Sequence, residues 1–488
     1  MAAALGRPRD DLVLERRSPD GSFEQSDGPF LEYERRLERA DDTFIETTRY
    51  RISVPWFNWL FALPVRALVG RRWHQPHHHA VPLANPWWAP PDRLNERQIR
   101  VLGLLAAASM SSAFINTLFT QTVKFAADDF GVDNSGVSNA TSIVRAGIVL
   151  ALPAAVLADR IGRKRVVTIV AWAAPIVTAL GAFAPTFPTL VATQAVGRPL
   201  GLALDLLVAV VAAEEMPRNS RAYAVSVLAM ASGLGAGLAV IALPLADIGE
   251  SSWRYIYVVT LVWLVVAVDI ARRLPETTRF QRPHTIAPPI VRRRFATLAL
   301  VAVAANFFVA PASVFQNSYL EDARGFSATQ IALFTLSTAT PAGIGLIIGG
   351  RIADIRGRRH VLAVALPLAT TLVVTSFAVN GVPMWFSAFG GGFIGGIAYP
   401  ALAVYRAELF PTGNRGRAAG LLTAAALLGG IGGLQLAGRL LDAGWPHGRV
   451  MALLAMAEVV VVIVVVVSFP ETAHRELEEL NPEDASFP

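Results

Sequence analysis

Five ionisable residues stand inside stretches that are otherwise apolar: Arg145, Arg198, Asp205, Arg406 and Glu458. In a hydrocarbon setting each costs ~2.5–3.5 kcal/mol even on a lenient scale, so such groups face an interior or a water-filled space. Arg198 and Asp205 are seven positions apart. On a helix that spacing puts both on one face about two turns from each other, too far to pair but close enough to border one cavity. A carboxylate withdrawn from water can take up and release a proton near neutral pH. Asp205 is therefore the first proton-coupling candidate and Glu458 the second. Arg145 and Arg198 suit a substrate carboxylate or phosphate, or the tuning of a nearby acid. For each of these charges a structural ion pair is the competing role.

Uncharged polar residues share the same apolar stretches. Asn116, Gln121, Asn306, Gln316, Asn317, Tyr399 and Gln435 are candidates for lining a substrate cavity. Amides at such depth serve as ligand hydrogen-bonders or as glue between helices. Pro311 is expected to bend its helix just before Gln316 and Asn317. The glycine runs Gly390–Gly392 and Gly429–Gly433 have neither phosphate-loop spacing nor a Lys-Ser/Thr finish, so they read as close packing or hinges. His77, His78 and His79 are adjacent, cannot share one helix face, and read as a solvated linker rather than a metal site. No metal or cofactor is expected.

The elements that must carry these residues follow from composition. Of 488 residues 53% are hydrophobic and only 16% charged, with a mean hydropathy of +0.45. A bilayer-spanning helix needs ~20 mostly apolar residues, and from about Gln98 to Phe469 roughly twelve such segments follow one another. The expected spans lie near 98–124, 137–158, 166–185, 188–212, 221–246 and 254–271. A second set lies near 295–320, 328–350, 361–380, 383–406, 417–440 and 448–468. The fold class is an all-α polytopic membrane protein with two six-helix bundles, 98–274 and 295–469. A linker at 275–294 joins them and a tail at 470–488 follows.

The net charge of +6 reports topology. Basic residues cluster in alternate loops, such as Arg163, Lys164, Arg272, Arg273, Arg358 and Arg359, which by the positive-inside rule places those loops and both termini in the cytoplasm. The basic balance thus implies contact with an anionic inner leaflet and no nucleic-acid partner. Cysteine is absent, excluding disulfides and thiolate chemistry. Residues 1–97 differ in kind. No cleavable signal peptide is read there. The charged run Glu32–Arg39 reads as a short solvated helix flanked by disorder, and the apolar, aromatic segment at 53–69 as an interfacial segment.

Polar motifs recur between the halves. Asp159-Arg160-Ile161-Gly162-Arg163-Lys164 returns as Asp354-Ile355-Arg356-Gly357-Arg358-Arg359. Glu214-Glu215-Met216-Pro217 with Arg221 returns as Glu408-Leu409-Phe410-Pro411 with Arg415, and Pro275-Glu276-Thr277 as Pro470-Glu471-Thr472. Each pair is shifted by about 194 or 195 residues. Parallel six-helix repeats about an axis along the membrane normal are one architecture of secondary transporters.

The Asp-Arg-x-Gly-Arg-Lys/Arg turn resembles the signature loop of the major facilitator superfamily. The Glu-x-x-Pro-x-x-x-Arg and Pro-Glu-Thr elements resemble those of its sugar-porter and metabolite–proton symporter branches. The likeness covers about residues 98–473. It implies alternating access, with Asp159, Arg163, Glu214, Glu215, Arg221, Glu276, Asp354, Arg358, Glu408, Arg415 and Glu471 forming a cytoplasmic latch that opens and closes between the halves. Charges that only set topology are the plainer reading. The expected function is proton-coupled transport of a small organic solute across the cell membrane by a multi-pass monomer, leaning to uptake of a metabolite or organic anion. The alternatives are a drug or metabolite efflux antiporter, or a non-transporting sensor or scaffold. No catalytic cluster appears, so an enzyme is not expected.

Overall fold

In hydrocarbon every backbone amide must bond within its own segment, so long apolar runs become helices and their polar ends become turns. The computed structural model follows this rule and describes residues 8–40, 43–70, 90, 92–217, 220–276, 291–410 and 415–472. His77–His79 and Glu476–Glu479 lie outside the described residues.

The first half holds α2 (Glu96–Phe130), α3 (Asn134–Ala146), α4 (Leu152–Ile161), α5 (Arg163–Ala179), α6 (Phe187–Glu215), α7 (Arg221–Ile241), α8 (Trp253–Val259) and α9 (Leu264–Arg273). The second holds α10 (Arg292–Ser318), α11 (Ala328–Arg356), α12 (Arg358–Ser376), α13 (Gly381–Glu408), α14 (Arg415–Asp442) and α15 (His447–Ser468). Among the described residues ten helical stretches are long and apolar enough to cross a bilayer, one of them joining α8 and α9. The remaining two expected places, second and eighth, hold the pair α3–α4 and the 29-residue α11. Between α3 and α4 the chain tightens to a 3-10 turn, Gly147–Ala151, and Pro153 opens α4. Helix α10 runs through Pro311 to Ser318 and then widens into a π turn, Tyr319–Ala323.

Packing divides the bundle into two unlike ends. At the end bearing the Gly162 and Gly357 turns, called here the basic end, each half has its own apolar core. One is built around Leu104, Val167 and Leu207, the other around Leu362, Leu422 and Val465. At the opposite end one core is shared: Phe114, Leu118 and Val144 join Phe308, Phe315 and Leu434. The halves therefore meet at one end and part at the other.

The N-terminal extension departs from expectation. Strands β1 (Leu14–Arg17), β2 (Phe23–Asp27), β3 (Phe30–Ala40) and β4 (Thr43–Ile52) form an antiparallel meander in that order, with Tyr33 opposite Tyr50 and Arg35 opposite Thr48. The run Glu32–Arg39 is thus strand rather than solvated helix. Its period of two decides this: Tyr33 and Arg35 are buried while Glu32 and Arg36 are exposed. Arg35 is tolerated inside because Glu15 takes a fork of two bonds from it, at 2.8 and 2.6 Å, and accepts a third from the Tyr33 hydroxyl at 2.7 Å. Phe23 lies under the guanidinium at 4.1 Å. A short helix, α1 (Asn58–Val69), follows, with Val65 packed against Phe30 and Tyr33.

Candidate functional site

Arg145 and Arg198 are each eleven residues into their helices from the end where the halves meet. At 1.5 Å per residue both stand ~16 Å deep, near the middle of a ~30 Å hydrocarbon core. The backbones around them are close: a Cβ added at Gly147 would lie 2.6 Å from the Ala195 carbonyl oxygen and 3.0 Å from Pro199. Arg145 also reaches across the molecule, since a Cβ added at Gly430 of α14 would lie 3.3 Å from its Nη1. Among the described residues neither guanidinium has a carboxylate within ion-pair distance, and the buried Nε of Arg145 and Nε and Nη1 of Arg198 have no hydrogen-bond partner. A guanidinium is donor-only, so these nitrogens call for an acceptor that the described residues do not supply.

Two of the predicted amides, Asn116 and Asn306, stand near these arginines. Asn116 donates to Ser112 Oγ at 3.3 Å, leaves its own buried Oδ1 unbonded, and stands against Gly201 one turn from Arg198. Asn306 donates back to Ala302 of its own helix at 3.2 Å, and its main chain faces Gly430. Asp205 is exposed, two turns from Arg198 toward the basic end, and Tyr399 is exposed on α13. Others close the site instead. Asn317 donates across the halves to Gln121, at 2.8 Å to its carbonyl and 3.1 Å to its side chain. Gln435 donates to Asn139 at 2.8 Å and to Ser142 at 3.3 Å, again across the halves. Gln316 donates to Thr335 within its half at 3.3 Å. Glu458 is buried on α15, which packs on α10 and α12, so it is not brought together with the two arginines. Its neighbours are helices of its own half.

Above this polar layer three further contacts join the halves. Lys124 bridges Asp128 in its own helix and Asp322 across the gap at 2.9 Å. Asp442 accepts the amides of Asn134 at 3.0 Å and Ser135 at 2.8 Å, the first two residues of α3. Asp247 accepts those of Ala328 at 2.7 Å and Thr329 at 2.8 Å, the first two of α11. The third amide of each helix goes to its own capping residue, Asp133 or Ser327. Sequence reasoning missed these acids; the available signal was their spacing, which matches that of the repeated motifs.

At the basic end the latch residues pair inside each half. Glu276 Oε1 accepts from the amides of Arg163 at 2.9 Å and Lys164 at 3.2 Å, and Arg163 bonds Glu214 at 3.2 Å. Glu471 accepts from the amides of Arg358 at 2.9 Å and Arg359 at 3.1 Å, while Arg358 bonds Thr472 at 2.9 Å. Glu215 meets Arg97 at 3.6 Å. Gly162 and Gly357, at φ +105° and +91°, turn the chain so that the helix amides face those acids. Expectation had the arginines of each half pairing with its Glu side chains; Arg163 does so with Glu214, while Glu276 and Glu471 cap backbone amides of their own halves. The side chains of Asp159, Arg221, Asp354, Arg406, Glu408 and Arg415 lie outside the described residues. The bonds named at this end each stay within one half.

Comparison with known proteins agrees with this architecture. The model of the Major Facilitator Superfamily matches residues 104–316 and 295–487. The 3-(3-hydroxy-phenyl)propionate transporter of Escherichia coli is 29% identical over 64% of this chain and 79% of its own. The cis,cis-muconate transport protein of Acinetobacter baylyi is 27% identical over 36% of this chain; there the chain spans 46% of the relative's length. Among solved structures, the inward open xylose transporter XylE from E. coli superimposes with a TM-score of 0.67 at 15% identity, covering 79% of this chain and 99% of that one. A bacterial homolog of the human lysosomal transporter Spinster, inward-facing, gives 0.58 at 18% identity, over 76% and 95%. At these identities the structural likeness is one of fold.

Proposed function

The chain belongs to the Major Facilitator Superfamily, a family of non-enzymatic membrane transporters, and from that premise we propose that it carries a small organic anion, a carboxylate foremost, by proton-coupled alternating access. The observation that carries the reading is the pair Arg145 and Arg198 at mid-depth, with buried, unbonded guanidinium nitrogens and without a carboxylate partner among the described residues. An anion seated between them would satisfy donors that are otherwise left buried and unbonded, and would screen two like charges from each other. Two of the relatives are named for carboxylic acids, a muconate and a phenylpropionate, which supports the same class.

The basic end is taken as cytoplasmic from its arginine-rich turns, which makes this the inward-open state. Asp205, exposed two turns from Arg198 toward that end, is the proton carrier in this scheme, and uptake is its direction. Efflux is the second reading: a relative 29% identical over 42% of this chain is named a fosmidomycin resistance protein. Counterflow in proteoliposomes with labelled mono- and dicarboxylates, sugars and amines tests the class; exchange of sugars or amines alone would overturn it. Asp205→Asn should abolish accumulation driven by a pH gradient while sparing counterflow, and a variant that still accumulates would remove Asp205 from the role.

A further inference from the structure

Helix α1 is apolar on both sides. Phe61, Val65 and Val69 turn toward the sheet, while Trp59 at 74% and Leu63 at 75% exposure stand on the other face with no other described residue over them. A helix sandwiched in this way has a sheet on one side and needs an apolar medium on the other.

Its depth identifies that medium. Helix α2 has 35 residues, or ~52 Å at 1.5 Å per residue, against a hydrocarbon core of ~30 Å. Centred on that core, α2 projects about 11 Å at each end. Gly103, seven residues in, lies ~10 Å from the start of α2, and it is where Pro55 packs: an added Cβ would come within 2.6 Å of that proline. The chain leading into α1 thus crosses the edge of the hydrocarbon. From there Trp56, the one non-glycine among the described residues with positive φ (+67°), donates its indole N–H to Asp269 of α9 at 3.1 Å. On α9 and the turn before it Val262 and Val265 are exposed as well.

Between the two elements runs a groove of about 440 Å³, with Pro55, Trp56 and Asn58 on one wall and Val265, Arg272 and Arg273 on the other. Its lining joins apolar Pro55, Val265 and Val268 to the two arginines. Asp269, the acid in it, is held by Arg273 Nε at 2.9 Å as well as by Trp56, and Arg272 beside it is exposed.

We propose that this groove binds one anionic phospholipid of the adjoining leaflet, its phosphate on Arg272 and Arg273 and its acyl chains along Val265 and the Trp59–Leu63 face of α1, and that this lipid seats the β-sheet unit on the membrane. Charge fits the headgroup, and the exposed apolar side chains of α1 and α9 fit the chains.

The test is native mass spectrometry of the full-length protein released from nanodiscs of phosphatidylcholine containing one-fifth phosphatidylglycerol. One phosphatidylglycerol should be retained preferentially, and Arg272→Gln/Arg273→Gln should lower that retention about tenfold or more while leaving counterflow unchanged. Hydrogen exchange adds a second readout: α1 amides should be protected in those nanodiscs and lose protection in pure phosphatidylcholine or in the double variant. Equal retention of both lipids, or a double variant that keeps its phosphatidylglycerol, would overturn the proposal. Trp59→Ser/Leu63→Ser should loosen α1 even when the headgroup is held, and unchanged exchange there would sink the seating role.

Discussion

Asp247 and Asp442 do the same work in opposite halves: each carboxylate accepts the first two backbone amides of a helix that belongs to the other half. They stand about 195 residues apart, the interval that separates every repeated motif of the chain. Glu276 and Glu471 repeat the device at the basic end, again on the first two amides of a helix, but inside their own halves. Four helix starts are thus capped by borrowed acids. Two caps bind across the interface and two do not, so opening the far end breaks one pair and spares the other.

Asp247→Ala and Asp442→Ala should each shift the equilibrium away from the basic-end-open state by ~1 kcal/mol, the usual worth of a cap at a helix N-terminus. Together they should shift it about thirtyfold. The native chain has no cysteine, so single cysteines placed at the far end can be read by maleimide labelling without background. Unchanged labelling in the double variant would remove these caps from the gate.

Glu276→Ala and Glu471→Ala should behave differently, because their partners travel with them. Each should cost stability, ~1 kcal/mol, seen as a lower melting temperature, with far-end labelling unaltered. A shift in labelling comparable to that of the aspartate variants would show that these caps also sense the interface.

Two glycine substitutions on one helix should separate folding from motion. A Cβ at Gly438 would overlap Ser138 of the other half, whereas one at Gly433 would overlap the Phe307 carbonyl of its own. Gly438→Ala should leave the second half folded and hold the far end open. Gly433→Ala should destabilise that half by ~1–3 kcal/mol, the usual cost of overpacking. Labelling and thermal melting together distinguish the two.

Arg145→Gln and Arg198→Gln should each weaken carboxylate exchange by ~1.5–3 kcal/mol, roughly 10- to 150-fold, the worth of a hydrogen bond to a charged group. Lysine should rescue charge but not forked geometry. Titrating counterflow against substrate concentration checks this, and a variant with wild-type affinity would move the seat elsewhere.

The sheet unit offers a pH readout. Burial, with Glu15 beside it, holds the Tyr33 hydroxyl above its ordinary ionisation range. A group raised in the folded state stabilises it at lower pH and loses that contribution as pH rises past ~10. Exchange of the β3 amides should accelerate above that pH, and Tyr33→Phe should blunt the dependence.

The helices were legible because apolar length is a strong one-dimensional signal, and the repeat was legible because its turns are charged. Other features needed depth. Nothing in the types of Asp247 or Asp442 separates a cap across the halves from an ordinary loop acid; only placing α3 beside the end of α14 does. Gln121, Asn317 and Gln435 read equally as ligand donors or glue, and their bonds across the gap show them as glue in this state. The strand β3 was hidden because its buried Arg35 makes a charged run look solvated on both sides, when Glu15, twenty residues earlier, is what neutralises it.

The sheet unit has one more consequence. Its described ties run to the first half alone: Arg93 to Asp10, Ser53 to the Glu96 carbonyl, and Trp56 to Asp269. It is a pointer fixed to one side of a rocking machine. A fluorophore at Gly21, at the open tip of the β1–β2 hairpin, would sweep an arc against a second dye on the other half and show each turnover from outside the bilayer, far from the path of the cargo.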